Sequence, residues 1–348
     1  MRDRPIMAHK VAGRPHDGLK QLTFSVLPLA GASSQTEDAV RTIIPMTVLA
    51  TALACSFGTA PAHARARVFV ASYGNDENPC TFGSPCKTFQ QAVNVVDAGG
   101  EVTAIDSAGF GPISITRAVT ITSPDGVEAG IAIPSGGTGI AINAGPGDAV
   151  SLHGLTLDGA GVGVTGIQFN SGGSLTIQNC VVRNLLGAGI GNTPTNSANI
   201  TVSNTIVRDN RADGIYVEPS GTNLTVNAFF NRVEAYNNGE DGIGIFSDHM
   251  AGLPGLFAMA VDSVSVSNAG DGFHCAGGNG NTFSNLHLFR SAAVRNGDFG
   301  VLGGTQCAVN VAQSDLEGNI GGPGSGVIFT YQDNYTGGSS LGSILNKD

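Results

Sequence analysis

A glycine followed by an apolar residue recurs along most of this chain, and no feature constrains its fold more. The pairs are Gly139-Ile140, Gly166-Ile167, Gly189-Ile190, Gly214-Ile215, Gly242-Ile243, Gly272-Phe273, Gly300-Val301 and Gly326-Val327. They stand 27, 23, 25, 28, 30, 28 and 26 residues apart. An asparagine precedes the glycine by four residues in four repeats, at Asn210, Asn238, Asn268 and Asn296. Short alternating segments lie upstream, such as Leu175–Ile177, Ile200–Val202, Leu224–Val226 and Val264–Val266. A period in the twenties is the mark of a stacked repeat architecture.

Short alternating strands without helical crossovers cannot wind into a doubly wound sheet. They can form coils that lie parallel on one another about 4.8 Å apart, with apolar side chains stacked inside. One coil cannot bury its own face, so stability is shared between neighbours and the ends need caps. The sequence therefore predicts an all-β parallel β-helix. Asparagine is expected to take the left-handed corner conformation and bond its counterpart in the next coil. Glycine is expected to allow the backbone to re-enter the next strand. Leucine-rich repeats lack their frame here, and propeller blades are longer.

Composition agrees. Glycine numbers 51, tryptophan is absent and charged residues make up only 13%, which argues against long helices, while 41% hydrophobic residues argue against disorder. Residues 65–348 carry 11 Lys+Arg against 23 Asp+Glu, a balance of −12. So acidic a body offers no footprint for nucleic acid and repels polyanions.

The ends differ from the middle. Residues 1–45 read as an unstructured extension. Residues 46–64, apolar and closed by Ala62-His63-Ala64 before Arg65, read as a secretory signal peptide, with Met1 or Met46 as the start. The expected destination is the periplasm, the cell surface or the medium, with no membrane span after cleavage. Residues 65–100 hold a turn-rich loop with Cys80 and Cys86, placed to close a disulfide in an oxidising compartment, since no second pair completes a zinc site. Phe89, Ala92, Val93 and Val96 share one helical face, predicting a short N-terminal helix that caps the first coil. The β-helix is expected over 101–335, with Gly326–Tyr331 as its last strand, and a polar tail over 336–348. Cys307 could reach Cys275 from the next coil, but Cys180, Cys275 and Cys307 are each expected as small core residues.

The chain resembles right-handed parallel β-helix repeat proteins of the pectin-lyase-like superfamily. The opening Pro79-Cys-Thr81 and Pro85-Cys-Lys-Thr-Phe-Gln-Gln-Ala92 is similar to that of a secreted bacterial group mostly without assigned activity. The resemblance implies a right-handed coil and polysaccharide-related roles, which in the superfamily range from lyases, hydrolases, epimerases and esterases to adhesins and tailspikes. The sequence lacks the Asn-Thr-Asp and Gly-His-Gly series of polygalacturonases, the Asp-Pro-His-Glu of mannuronan epimerases and the Arg-x-Pro-x-x-Arg of pectate lyases.

Site candidates follow from stacking. Asp213, Asp241 and Asp271 each precede a repeat glycine and should pile up about 5 Å apart. Such carboxylates either raise their pKa values, recruit a cation such as calcium, or cap their own turns. If Ile215 and Val217 point inward, Tyr216, Gly244, Phe246 and His274 point out beside them. Asp241, Asp271 and His274 are the candidate acid and base groups. Asp213, Tyr216 and Phe246 are candidate substrate contacts, with Arg183 and Arg208 as a second stacked column able to hold a carboxylate. The plain alternative for each is an ordinary polar surface. Two functions remain: an exported, monomeric, non-catalytic solenoid binding a polysaccharide or cell-surface glycan, preferred because the known catalytic motifs are missing, or a polysaccharide lyase or glycoside hydrolase. No cofactor beyond a cation is called for.

Overall fold

The computed structural model describes residues 65–278, 282–331, 333–341 and 343–344. The expected extension, signal peptide and its cleavage point lie outside the described residues.

Among the described residues a full coil contributes one short strand to each of three parallel sheets, which hold twelve, nine and eight strands. In one representative coil Thr165–Ser171 joins the nine-stranded sheet, Ser174–Gln178 the twelve-stranded one and Val181–Arg183 the eight-stranded one. Their alternation sends Ile167, Phe169, Leu175, Ile177 and Val182 inward to full burial. Register preserves the stacking from coil to coil. Ile140, Ile167, Ile190, Ile215, Ile243, Phe273 and Val301 pair in succession along one interior column. The parallel β-helix expected from the repeat is thus the fold.

The repeat glycines are required for a reason other than corner geometry. From Gly139 to Gly272, a Cβ added at each would stand 2.5–2.8 Å from the carbonyl oxygen of the next coil's glycine. None of them has a positive φ. The column continues to Gly300 but not to Gly326, because Val301 pairs with Gly324. The run expected as the last strand is divided between Gly322–Gly326 in the nine-stranded sheet and Ile328–Thr330 in the twelve-stranded one.

The asparagines form a buried ladder. Asn210 Nδ2 donates to Asn238 Oδ1 at 3.0 Å, Asn238 to Asn268 at 2.9 Å, and Asn268 to Asn296 at 3.0 Å. Asn319 extends it, accepting from Asn296 at 2.9 Å. The left-handed corner is taken not by these asparagines but by the residue before each: Asp209, Asn237, Ser267 and Arg295. The asparagine side chain is thereby free to turn inward, where it also bonds the backbone N–H of the coil before it.

The capping helix spans Phe89–Val95 and is opened by Thr88, whose hydroxyl accepts from the Gln91 N–H. It buries Phe89, Ala92 and Val93, and Phe89 packs on Phe110 with ring centroids 4.9 Å apart. Cys80 and Cys86 are disulfide-bonded. The twelve-stranded sheet runs wider than residues 101–335, from Arg67–Val70 to Ser343–Ile344. Cys275 and Cys307, expected as separate core thiols, form a second disulfide. It ties the nine-stranded sheet to the twelve-stranded sheet one coil further on. Cys180 stays free and buried, and burial pushes its thiol up to about 11. Among the described residues no helix is long and apolar enough to cross a membrane.

Candidate functional site

The aspartates stack as the repeat predicts, but they do not cap their own turns. Asp213 Oδ1 accepts the backbone N–H of Asp241 at 2.9 Å, and Asp241 Oδ1 accepts that of Asp271 at 2.7 Å. Asp271 Oδ1 accepts that of Phe299 at 2.8 Å. Each carboxylate therefore pins the entry of the following coil. The remaining oxygen of Asp241 meets His274 Nδ1 at 2.7 Å, and Asp271 Oδ2 lies 3.7 Å from the same nitrogen. The Asp241 bond fixes Nδ1 as the protonated nitrogen in this arrangement.

The group is partly withdrawn from water, with side-chain exposures of 14% for Asp241, 5% for Asp271 and 22% for His274. Burial first, and the neighbouring Asp241 charge second, push Asp213 up to about 7. Burial chiefly, with Asp241 adding to it, raises Asp271 to about 6 against the pull of the Phe299 amide. For His274 burial disfavours the charged form, but the bond to Asp241 and the charges of Asp241, Asp271 and Asp213 together raise its pKa. The donor atoms of Asp241, Asp271 and His274 all lie within 4.8 Å of one another, the one group among the described residues spaced to hold a cation.

Beside this ladder runs the outward column. Gln168, Gly191, Tyr216, Gly244 and His274 are paired in successive coils. The two glycines make room for rings. A Cβ on Gly191 would meet the Tyr216 hydroxyl at 2.7 Å, and one on Gly244 would meet the Phe246 ring at 2.4 Å. Tyr216 accordingly lies over Gly191 and donates to Gln168 Oε1 at 3.4 Å. Phe246 lies over Gly244, edge-on to His274 with centroids 5.0 Å apart. The result is a row of half-buried aromatic and amide groups along the sheet, with the carboxylates at its side.

Two expected contacts fall elsewhere. Arg183 and Arg208 do pair in register, but on the eight-stranded sheet. Arg183 is held by Asp158 at 2.9 Å, and Arg208 by Asp209, so neither is free to clamp a carboxylate. Sequence reasoning missed Gln168, which lies in a coil without an aspartate before its glycine. It also missed the pair of Glu218 with His249, 3.0 Å apart. His249 immediately precedes Met250–Ala251, which pairs with Gly221–Thr222 one coil earlier.

Comparisons with known proteins agree with the fold. Residues 104–243 match the family model described as right handed beta helix region. Pectate lyase Pel9A overlays with a TM-score of 0.55 at 17% identity, covering 80% of this chain and 76% of its own. XylC, solved in complex with xylose, overlays with a TM-score of 0.52 at 8% identity, covering 77% and 67%. A search of curated protein sequences finds no significant match. The chain folds as a right-handed parallel β-helix, and at these identities the likeness to the solved structures extends to the fold alone.

Proposed function

We propose that this protein is an exported, non-catalytic solenoid that binds an extracellular polysaccharide along the outer face of its nine-stranded sheet. The observation that carries this reading is the row formed by Gln168, Tyr216, Phe246 and His274. Two rings laid over glycines, with the Gln168 amide at one end and the His274 imidazole at the other, offer stacking surface and hydrogen bonds at the spacing of the coils. The carboxylates beside them are engaged: each of the three gives one oxygen to the backbone of the next coil. Pectate lyase Pel9A and XylC with xylose, which share the fold, are carbohydrate-directed by name, and a glycan is the partner class this supports. Export is supported by the two disulfides, which persist in oxidising compartments, and by the signal-like segment before Arg65.

The test is affinity electrophoresis of the purified protein against uronate-containing and neutral polysaccharides, with and without calcium. Retardation by at least one polysaccharide without new reducing ends or unsaturated products is expected. Tyr216→Ala with Phe246→Ala should remove the retardation by at least one of the polysaccharides that retard the wild type. Turnover of any polysaccharide overturns the non-catalytic reading.

One observation favours the second reading, a lyase or hydrolase. The Asp241–His274 bond at 2.7 Å, with Asp271 next to it, is an arrangement able to pass a proton. Under that reading Asp271→Asn and His274→Ala abolish turnover, and unchanged rates in both exclude it.

A further inference from the structure

The outer face of the twelve-stranded sheet is different in kind from the other two. Eight consecutive strands, from Val119–Thr122 to Cys307–Ala312, contain no Asp, Glu, Lys or Arg at any position. Their only titratable outward side chains are His153 and His287. In a body with a balance of −12 over residues 65–348, this is a continuous uncharged surface. At its centre lies a groove of about 390 Å³ lined by Asn199, Asn227, Phe229, Phe257, Met259 and His287.

We infer that this groove is a second carbohydrate site, separate from the aspartate face, and that it takes a neutral pyranose chain. Phe229 and Phe257 sit on adjacent strands, Thr225–Asn231 and Gly255–Val261, displaced by two positions along them. They are 38% and 41% exposed, and Met259, paired with Phe229, is 41% exposed. Large rings left open to water on a sheet face invite a flat partner. Amides border them. Asn227 Nδ2 donates to Asn199 Oδ1 at 3.0 Å, which leaves the Asn199 amino group and the Asn227 carbonyl oxygen for sugar hydroxyls. The volume lies in the range of small-ligand sites, roughly 300–1,000 Å³.

Charge selects the ligand class. A uronate chain would lay carboxylates on strands that carry no cation of their own, on a protein already strongly negative; Arg290, over the Phe289 ring at the edge of the sheet, is held by Asp262. An uncharged sugar meets neither penalty. Area argues against a second copy of the chain. Three side chains about two-fifths exposed offer on the order of 250 Å² of apolar surface by the usual aromatic areas. A stable protein interface buries about 800 Å² on each partner.

The experiment is isothermal titration of the full chain with xylohexaose and cellohexaose. Wild type is compared with Phe229→Ala/Phe257→Ala, Asn199→Ala/Asn227→Ala and Tyr216→Ala/Phe246→Ala. Both variants on the groove are at exposed positions, and an unchanged melting curve shows that the fold is kept. Binding of one neutral oligosaccharide, weakened about tenfold or more by the phenylalanine pair and unaffected by Tyr216→Ala/Phe246→Ala, is the expected result. The inference is overturned by no binding of either oligosaccharide to wild type, or by loss only in Tyr216→Ala/Phe246→Ala. It is equally overturned by ultracentrifugation that shows a wild-type dimer dissociating when the phenylalanines are removed.

Discussion

His274 Nδ1 donates to Asp241 Oδ2 across a coil boundary at 2.7 Å, while Asp241 Oδ1 accepts the backbone N–H of Asp271 from that same coil. One carboxylate thus holds both the backbone and a side chain of the coil that follows. Asp213 does the first of these for Asp241 itself. The acid ladder and the imidazole are therefore part of what keeps the coils in register, whatever else they do.

This coupling makes stability depend on pH in a defined direction. Asp213 and Asp271 have native pKa values of about 7 and about 6 against an ordinary 3.8, so between those limits the native state holds protons the unfolded chain has released. Stability from these groups rises as pH falls from 7 toward 4. His274, raised above 6.5, contributes in the same sense: its stabilisation is full below 6.5 and is lost as pH rises through its native value. The melting temperature should climb by roughly a few degrees between pH 8 and pH 5. Asp213→Asn should flatten the rise. A wild-type profile that is level or falls toward acid would contradict the assignment.

The asparagine ladder predicts a large local effect. Asn268 donates to Asn296 Oδ1 at 3.0 Å and to the Ala235 carbonyl at 3.2 Å, and accepts from both the backbone N–H and the side-chain amide of Asn238. It is 2% exposed. Asn268→Ala removes these bonds and strands buried partners that water cannot reach. Destabilisation of about 2–4 kcal/mol is expected in urea unfolding. A half-buried control, Asn285→Ala, which loses only the bond from Asn310, should cost about 1 kcal/mol or less.

Much of this was legible in the chain itself, because a solenoid repeats its contacts. Once Gly214, Gly242 and Gly272 share an interior column, the outward places of Tyr216, Gly244 and His274 follow from alternation alone. What escaped the sequence depended on direction and reach. Asx chemistry suggested that Asp241 would cap its own turn, and only coordinates show it reaching the next coil. Asn319 was hidden because no glycine stands four residues after it; the chain there runs to Pro323 and then Gly324. The Arg183 and Arg208 column was placed correctly in register, but its neutralisation by Asp158 and Asp209 is a matter of side-chain reach. Stacking puts Cys307 within reach of Cys275 from the next coil, but the two belong to different sheets, so strand periodicity alone could not decide between a bond and two core thiols.

That second disulfide carries its own prediction. It closes a separation of 32 residues, for which the loss of unfolded-state entropy is worth about 3–4 kcal/mol. Cys275→Ala/Cys307→Ala should lower stability by that order, and reductant should lower the wild-type melting temperature while leaving the variant affected only through Cys80–Cys86. Among the described residues, mass spectrometry of the unreduced protein should find both pairs and one free thiol, at Cys180. Free thiol at Cys275 in protein recovered from an oxidising compartment would contradict the pairing.

The glycines under the rings allow the most direct test of the candidate glycan face. A Cβ on Gly244 would stand 2.4 Å from Phe246 Cε2, so Gly244→Ala must displace the ring rather than the backbone, which is hemmed in by the strands on either side. The ring then leaves its edge-on contact with His274, now 5.0 Å between centroids. Because the inward neighbours Ile243 and Ile245 are untouched, the loss of stability should stay near 1 kcal/mol, the scale of a single displaced aromatic pair. Polysaccharide retardation should fall nearly as far as in Phe246→Ala. Gly242→Ala is the opposite case: its Cβ would lie 2.8 Å from the Gly272 carbonyl oxygen and closer still to Ser265 Oγ, both buried between coils. That substitution should cost several kcal/mol and impair folding, since backbone cannot give way as a ring can. Thermal melts of the two variants together with gel retardation of Gly244→Ala separate the roles: one glycine seats a ligand-facing ring, and the other lets the coils close.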